Sequence, residues 1–108
     1  MTNTKLTTRQ AERLMDDVLD VLQAIASNKH LLRAFLRDLL TPVEYRDTAL
    51  RWRIVRLLHE GVPQRDIAES LGVSLSKITR GSRELMDEAG GFAEVLRGRS
   101  RAQGVRRG

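Results

Sequence analysis

Apolar residues recur at the spacing of an amphipathic helix along most of the chain, and β-branched alternation is scarce. A first helix is predicted from Thr7 or Thr8 to about Ser27, and a second helix begins at Asn28. The apolar stripe of the first helix is wide enough to bury more than one face, which indicates packing against a partner chain. The pattern predicts an all-α fold.

The strongest local signal for a helix start is Thr41-Pro42-Val43-Glu44. Threonine at the N-cap, proline at the first helical position and glutamate at the third form a capping box. The third helix that begins here is predicted to end at Gly61, because glycine accepts the left-handed conformation that closes many helices.

The segment 64–86 has the pattern of a helix-turn-helix. Ala68 is the small residue that lets two helices cross closely, and Gly72 tolerates a positive φ at the turn. Ser74 can cap the second helix and leave its first turn free to enter a major groove of DNA. A helical hairpin that binds another protein would also explain Ala68 and Gly72, but it would not explain the polar and cationic face that follows.

We expect a single domain over residues 1–108. Its predicted parts are a helical dimerisation core (7–61), the helix-turn-helix (64–86), a C-terminal helix (88–97) and a flexible basic tail (98–108).

Charge and composition narrow the function. Lys and Arg number 19 against 14 Asp and Glu, for a net charge of +5, and arginines crowd the C-terminal end, which favours a polyanionic partner. The absence of cysteine excludes disulfides and thiolate metal sites. No apolar run approaches the roughly 18 residues of a membrane span, and the N-terminus is polar, so we expect a soluble cytoplasmic protein. His30 and His59 are isolated, and no nucleophile has a base partner, so neither a metal site nor enzyme activity is expected.

The surface predicted to contact double-stranded DNA combines small side chains, which can contact base edges, with cationic side chains, which can contact phosphates. The first helix of the motif would contribute contacts to the backbone or to a guanine, and the second would contribute groove contacts, some through water. The candidate DNA-binding residues are Gln64, Arg65, Ser74, Leu75, Ser76, Lys77, Thr79 and Arg83.

From residue 39 to residue 82 the chain resembles the tryptophan (Trp) repressor family. The segments that carry the resemblance are Leu39-Leu40-Thr41-Pro42, Arg51-Trp52-Arg53-Ile54-Val55, Gln64-Arg65 and Ile78-Thr79-Arg80-Gly81-Ser82. The resemblance implies an interwound homodimer of six-helix protomers that represses transcription at operators of tryptophan biosynthesis genes. It also implies L-tryptophan as the corepressor, with no other cofactor.

The resemblance further implies a binding site for this ligand. Arg51 and Arg80 would flank the indole ring, and Arg80 would pair with the ligand carboxylate. Thr41 of the other subunit, with the backbone carbonyls of Asp38 and Leu40, would approach the ammonium end. The complete set of implied ligand-binding residues is Asp38, Leu39, Leu40, Thr41, Arg51, Ile54, Val55, Arg80, Gly81 and Glu84.

Helical spacing alone offers a different interpretation, in which Arg51 pairs with Asp47 and Arg80 contacts a phosphate. Lys77 and Glu84 stand where the family pattern has small hydroxyl residues, so the carboxylate could pair with the ligand ammonium and the lysine with its carboxylate. The alternatives to a tryptophan-responsive repressor are the same DNA-binding fold with a different effector or none, and a helical protein-interaction module.

Overall fold

The computed structural model describes residues 5–98, in which six helices and no strands occur. The predicted all-α, six-helix protomer is thereby confirmed for this part of the chain. The helices are α1 (Thr8–Ala24), α2 (Lys29–Leu39), α3 (Pro42–His59), α4 (Gln64–Leu71), α5 (Leu75–Met86) and α6 (residues 91–98).

Side chains cap the first two helices. At α1 the Gln10 amide nitrogen donates to Thr7 Oγ1 at 3.1 Å, and the Thr7 amide nitrogen donates to Gln10 Oε1 at 2.9 Å. Thr7, rather than Thr8, is therefore the N-cap. At α2 the Asn28 side chain accepts from the Leu31 amide at 3.0 Å, so the predicted start of the second helix is confirmed.

The first helix ends at Ala24, three residues before the predicted end at Ser27. Ile25 adopts φ −105° and ψ 10°, outside the helical region, and its carbonyl accepts from the Asn28 amide at 2.9 Å. This turn frees Asn28 to cap the next helix, so the cap of α2 sets the end of α1.

The capping box at the start of α3 is present as predicted. The Thr41 amide donates to Glu44 Oε1 at 2.9 Å and the Glu44 amide donates to Thr41 Oγ1 at 3.2 Å. The hydrogen bonds from the Thr41 backbone and side chain lower the pKa of the Glu44 carboxyl group below its ordinary value. At the other end α3 stops at His59, two residues before the predicted Gly61, and Gly61 closes the following turn with φ +86°.

Helices α4 and α5, joined by a turn at Gly72, occupy the segment predicted to be a helix-turn-helix. Gly72 has φ +66°, and the Val73 amide that follows it donates to the Ala68 carbonyl at 3.1 Å, which closes α4. Ser74 then caps α5, accepting from the Lys77 amide at 3.4 Å. The apolar cluster that locks these helices to α3 has three buried isoleucines at its centre: Ile54, Ile67 and Ile78.

The last helix begins later than the predicted residue 88. The Asp87 carboxylate accepts from the Ala89 amide at 3.2 Å, and the Asp87 carbonyl accepts from the Gly90 amide at 2.9 Å. This turn occupies the positions expected to be helical, and α6 covers residues 91–98. Gly98 thus belongs to α6, and the rest of the predicted tail lies outside the described residues.

The chain divides into two compact units, Met1–Tyr45 and Arg46–Gly108. In the first unit no described residue is buried, and its helices expose a series of large apolar side chains. The exposed apolar residues of this unit are Leu6, Leu14, Met15, Leu19, Leu31, Leu39 and Val43. The buried apolar residues of the described chain all lie in the second unit. None of the described helices is both long enough and apolar enough to span a membrane.

Candidate functional site

A cavity of about 370 Å³ lies within the second unit, with most of its walls formed by α3 and α5. We refer to it as the α3–α5 cavity. Its volume is in the range of pockets that hold small organic ligands. The residues that line it are Asp47, Leu50, Arg51, Ile54, Val55, Lys77, Arg80, Gly81, Glu84 and Phe92.

The apolar part of the cavity wall is rigid because it belongs to the core. Ile54 and Val55 are only 2% and 1% exposed, and Gly81 faces them from α5. A Cβ atom placed on Gly81 would lie 3.2 Å from Ile54 Cγ2 and 3.6 Å from Leu58 Cδ1. The missing side chain at Gly81 therefore sets how closely α5 approaches α3, as well as lining the cavity.

Five charged side chains of both signs share the polar part of the cavity wall. Arg51, Lys77, Arg80 and Glu84 are exposed, and Asp47 is half-buried. Among residues 5–98 no ion pair joins any of these five groups. Their charges are therefore available to a ligand that carries both a cationic and an anionic group.

The ion pair expected from spacing alone, Asp47 with Arg51, does not form in this structure. In the described chain the i,i+4 salt bridge at the end of α3 instead joins Arg56 Nη2 to Oε2 of Glu60, the residue that follows the helix, at 3.5 Å. Arg51 thus keeps its guanidinium free at the cavity wall. A guanidinium in this position can pair with an anion or stack on an aromatic ring.

Phe92 is the aromatic side chain of the cavity wall and comes from α6. Its ring lies against Trp52 of α3, with the two ring centroids 6.0 Å apart and the planes inclined at 41°. Trp52 itself does not line the α3–α5 cavity. It lines an adjacent, more open cavity of about 610 Å³, the α6 cavity, whose wall also includes Glu84, Phe92 and Val95.

The structure brings part of the predicted ligand set together. Six of the predicted ligand-binding residues line the α3–α5 cavity: Arg51, Ile54, Val55, Arg80, Gly81 and Glu84. The other four belong to the first unit, where Asp38 and Leu39 end α2, Leu40 is its C-cap and Thr41 caps α3.

Sequence reasoning did not assign Asp47, Leu50 or Phe92 to this site. Asp47 and Leu50 could have been assigned from the sequence, because together with Arg51 and Ile54 they repeat at the three- and four-residue spacing of one helix face. Phe92 had no such signal, since its position depends on the turn that precedes α6.

All the predicted DNA-binding residues are exposed, and most lie on α5. Two of them also have local structural roles. Ser74 Oγ caps α5, and Thr79 Oγ1 donates to the Leu75 carbonyl at 3.0 Å. Lys77 both lines the cavity and lies in the first turn of the exposed helix, so one residue adjoins both surfaces.

The chemistry of a metal site is not assembled in the described chain. Within residues 5–98, no group of three His, Cys, Asp or Glu side chains is arranged to hold a metal ion. The α3–α5 cavity itself is lined by charged and apolar side chains, which can offer charge pairing and apolar contact to an organic ligand.

Known proteins resemble this chain over most of its length. Residues 13–100 match the family described as Trp repressor protein. A protein of Vibrio cholerae named Trp operon repressor homolog is 39% identical over 85 residues, which cover 73% of this chain and 81% of that protein. A protein of the same name from Chlamydia trachomatis is 46% identical over 67 residues, covering 57% of this chain and 71% of that protein. No solved structure shows significant similarity. The chain belongs to the Trp repressor family, a family of transcriptional repressors.

Proposed function

We propose that this protein is a sequence-specific DNA-binding repressor that acts in the cytoplasm as a homodimer and uses L-tryptophan as its corepressor. Its targets are operators of tryptophan biosynthesis genes. Membership of the Trp repressor family and the names of the relatives in Vibrio cholerae and Chlamydia trachomatis support this function.

The observation that carries the proposal is the position of the cavity. It lies against α5, the helix whose exposed side bears the predicted DNA contacts, and its opposite wall belongs to α3, which is part of the core. A ligand in this space would fix the inclination of α5 relative to α3. Ligand and DNA affinity would then be coupled, typically by about 1–3 kcal/mol, or roughly 5- to 150-fold.

The charges at the cavity suit an aromatic amino acid. The Arg51 and Arg80 guanidinium groups can stack on the faces of an indole ring, a cation–π arrangement. Arg80 or Lys77 then binds the carboxylate, and Glu84 binds the ammonium group. Gly81, Ile54 and Val55 supply the apolar wall.

The partner subunit completes the site in this proposal. Thr41 and the carbonyls of Asp38 and Leu40, with Leu39 beside them, come from the second chain, as the family resemblance implies. The first unit supports such a dimer because Leu14, for example, is 58% exposed although it lies in the apolar stripe of α1. Apolar surface of this extent is unfavourable in water and favours an interwound partner.

DNA binding rests on the exposed faces of α4 and α5. Gln64 and Arg65 contact the DNA backbone or a guanine. The contacts in the major groove come from the N-cap and the exposed face of α5, namely Ser74, Leu75, Ser76, Lys77, Thr79 and Arg83. Two such surfaces in a dimer would face successive major grooves, roughly 34 Å apart. We therefore expect a palindromic operator.

The proposal is tested by selecting duplexes from a randomised double-stranded DNA library, with and without L-tryptophan. A palindromic sequence enriched only with L-tryptophan is expected, and its binding must weaken steeply with salt, because phosphate contacts release counterions. Arg80→Ala is expected to abolish the response to L-tryptophan. Arg53→Ala, which removes an exposed arginine of α3 outside the cavity wall, is the matched control.

Each alternative has its own outcome. Selective enrichment of DNA that is indifferent to L-tryptophan would overturn the corepressor and leave a regulator with another effector or none. Failure to enrich any sequence, combined with capture of a protein partner whose binding is insensitive to salt, would favour a helical interaction module. An unchanged response in Arg80→Ala would contradict the assignment of the cavity.

A further inference from the structure

We infer that Phe92, held in place by Trp52, is the residue that makes the α3–α5 cavity selective for an aromatic ring. The inference deepens the proposed function, on which it rests, by adding a specificity determinant from α6. Neither the helix-turn-helix nor the resemblance to the family assigns this residue a role.

The wall of the α3–α5 cavity contains an aromatic side chain that belongs to neither α3 nor α5. Phe92 is the one aromatic residue that lines the cavity within the described chain, and the other lining residues come from α3 and α5. Arg51 and Arg80 attract the faces of a ligand ring, but guanidinium groups also bind simple anions. A neighbouring ring adds edge-to-face or offset-stacked contact that only an aromatic ligand can return.

Phe92 is held in position by its own helix and by Trp52. Leu96, one helical turn after Phe92, is only 5% exposed, so this side of α6 is buried within the second unit. The Glu94 amide donates to the Gly90 carbonyl at 3.1 Å, which continues the preceding turn into the helix. Trp52, at a centroid distance of 6.0 Å, limits the movement of the Phe92 ring.

The two cavities share part of their walls. Phe92 lines both the α3–α5 cavity and the α6 cavity, whereas Trp52 lines only the α6 cavity. The Phe92 ring therefore adjoins both the first cavity and Trp52, and Glu84 is the other residue that the two walls share. Trp52 acts as a positioning residue, and Phe92 is the group that touches the ligand.

Calorimetric titration of the full chain with L-tryptophan tests the inference. Phe92→Leu keeps an apolar side chain but removes the ring, and it is expected to raise Kd by roughly two- to tenfold. Phe92→Tyr keeps the ring and is expected to retain affinity within about twofold. Val95→Ala, on the exposed side of α6 at the second cavity, is the matched control and should leave Kd unchanged.

A second measurement separates ligand contact from folding. The free energy of unfolding of Phe92→Leu is measured in parallel without ligand, and a loss of affinity that persists at temperatures where both proteins are fully folded supports direct contact. Trp52→Leu should raise Kd in the wild-type background and add little in the Phe92→Leu background, because it acts through the ring.

The two failures are distinguishable. Saturable wild-type binding with the same Kd in Phe92→Leu would overturn this inference and leave the proposed function intact. Equal loss of affinity in Phe92→Leu and Phe92→Tyr would also overturn it, since the ring would not be the determinant. A flat wild-type titration would overturn the tryptophan effector and this inference together.

Discussion

Gly81→Ala perturbs the contact between the core helix and the helix that carries the DNA-binding face. Two opposing terms decide its effect on stability. Alanine in place of glycine inside a helix stabilises the folded state by about 1 kcal/mol. The added methyl group, however, would lie 3.2 Å from Ile54 Cγ2, closer than side chains ordinarily pack, with Val55 Cγ2 at 3.7 Å behind it. Overpacking of this kind destabilises the folded state by about 1–3 kcal/mol. The free energy of unfolding is therefore expected to fall by up to about 2 kcal/mol.

The assay is urea unfolding at a fixed protomer concentration, because the midpoint of an oligomer depends on concentration. Gly91→Ala is the reference variant, since its added methyl group meets nothing within 4 Å. Gly81→Ala should also shift α5 by a few tenths of an ångström and weaken the response of DNA binding to L-tryptophan. A Gly81→Ala protein that is about 1 kcal/mol more stable than wild type, with its response to L-tryptophan intact, would show that residue 81 does not limit the approach of α5 to α3.

Two further predictions concern helix ends. The lowered pKa of Glu44 implies stability that is fully present above the ordinary carboxyl pKa of 4.5 and is lost as the pH falls through the lower folded value. The difference in unfolding free energy between wild type and Glu44→Gln should therefore shrink as the pH is lowered from neutral to about 3, and a constant difference would contradict the capping-box pairing with Thr41. Gly72→Ala should lower the free energy of unfolding by about 1 kcal/mol, because φ is +66° at this position, although no atom lies within 4 Å of the added methyl group. Urea unfolding that shows no loss of stability would exclude backbone strain.

The features that could be predicted from the sequence depend on neighbouring residues. The capping box of Thr41 and Glu44 is contained in four consecutive positions, and Gly72 needs only its own backbone to close α4. Helix existence likewise follows from periodicity, because each face repeats within a turn or two. These local rules located α4, α5 and most of α3 correctly.

Features that depend on tertiary packing were harder to predict. The i,i+4 spacing of Asp47 and Arg51 permits an ion pair, but both side chains line the cavity without forming one. The turn formed by Asp87 and Gly90 delays α6, and it thereby decides which side chain of that helix meets Trp52. The helical spacing of Phe92, Val95 and Leu96 places Phe92 on the apolar face of a helix, but it does not indicate which element that face packs against.

The proposed function requires linkage between the α3–α5 cavity and the proposed DNA-binding face of α5. The direct measurement is the affinity for a selected operator duplex as a function of L-tryptophan concentration, paired with the affinity for L-tryptophan with and without saturating duplex. With such linkage both affinities rise by the same factor, since coupling free energy is reciprocal. An operator affinity that does not change with L-tryptophan, while the ligand still binds saturably, would contradict it.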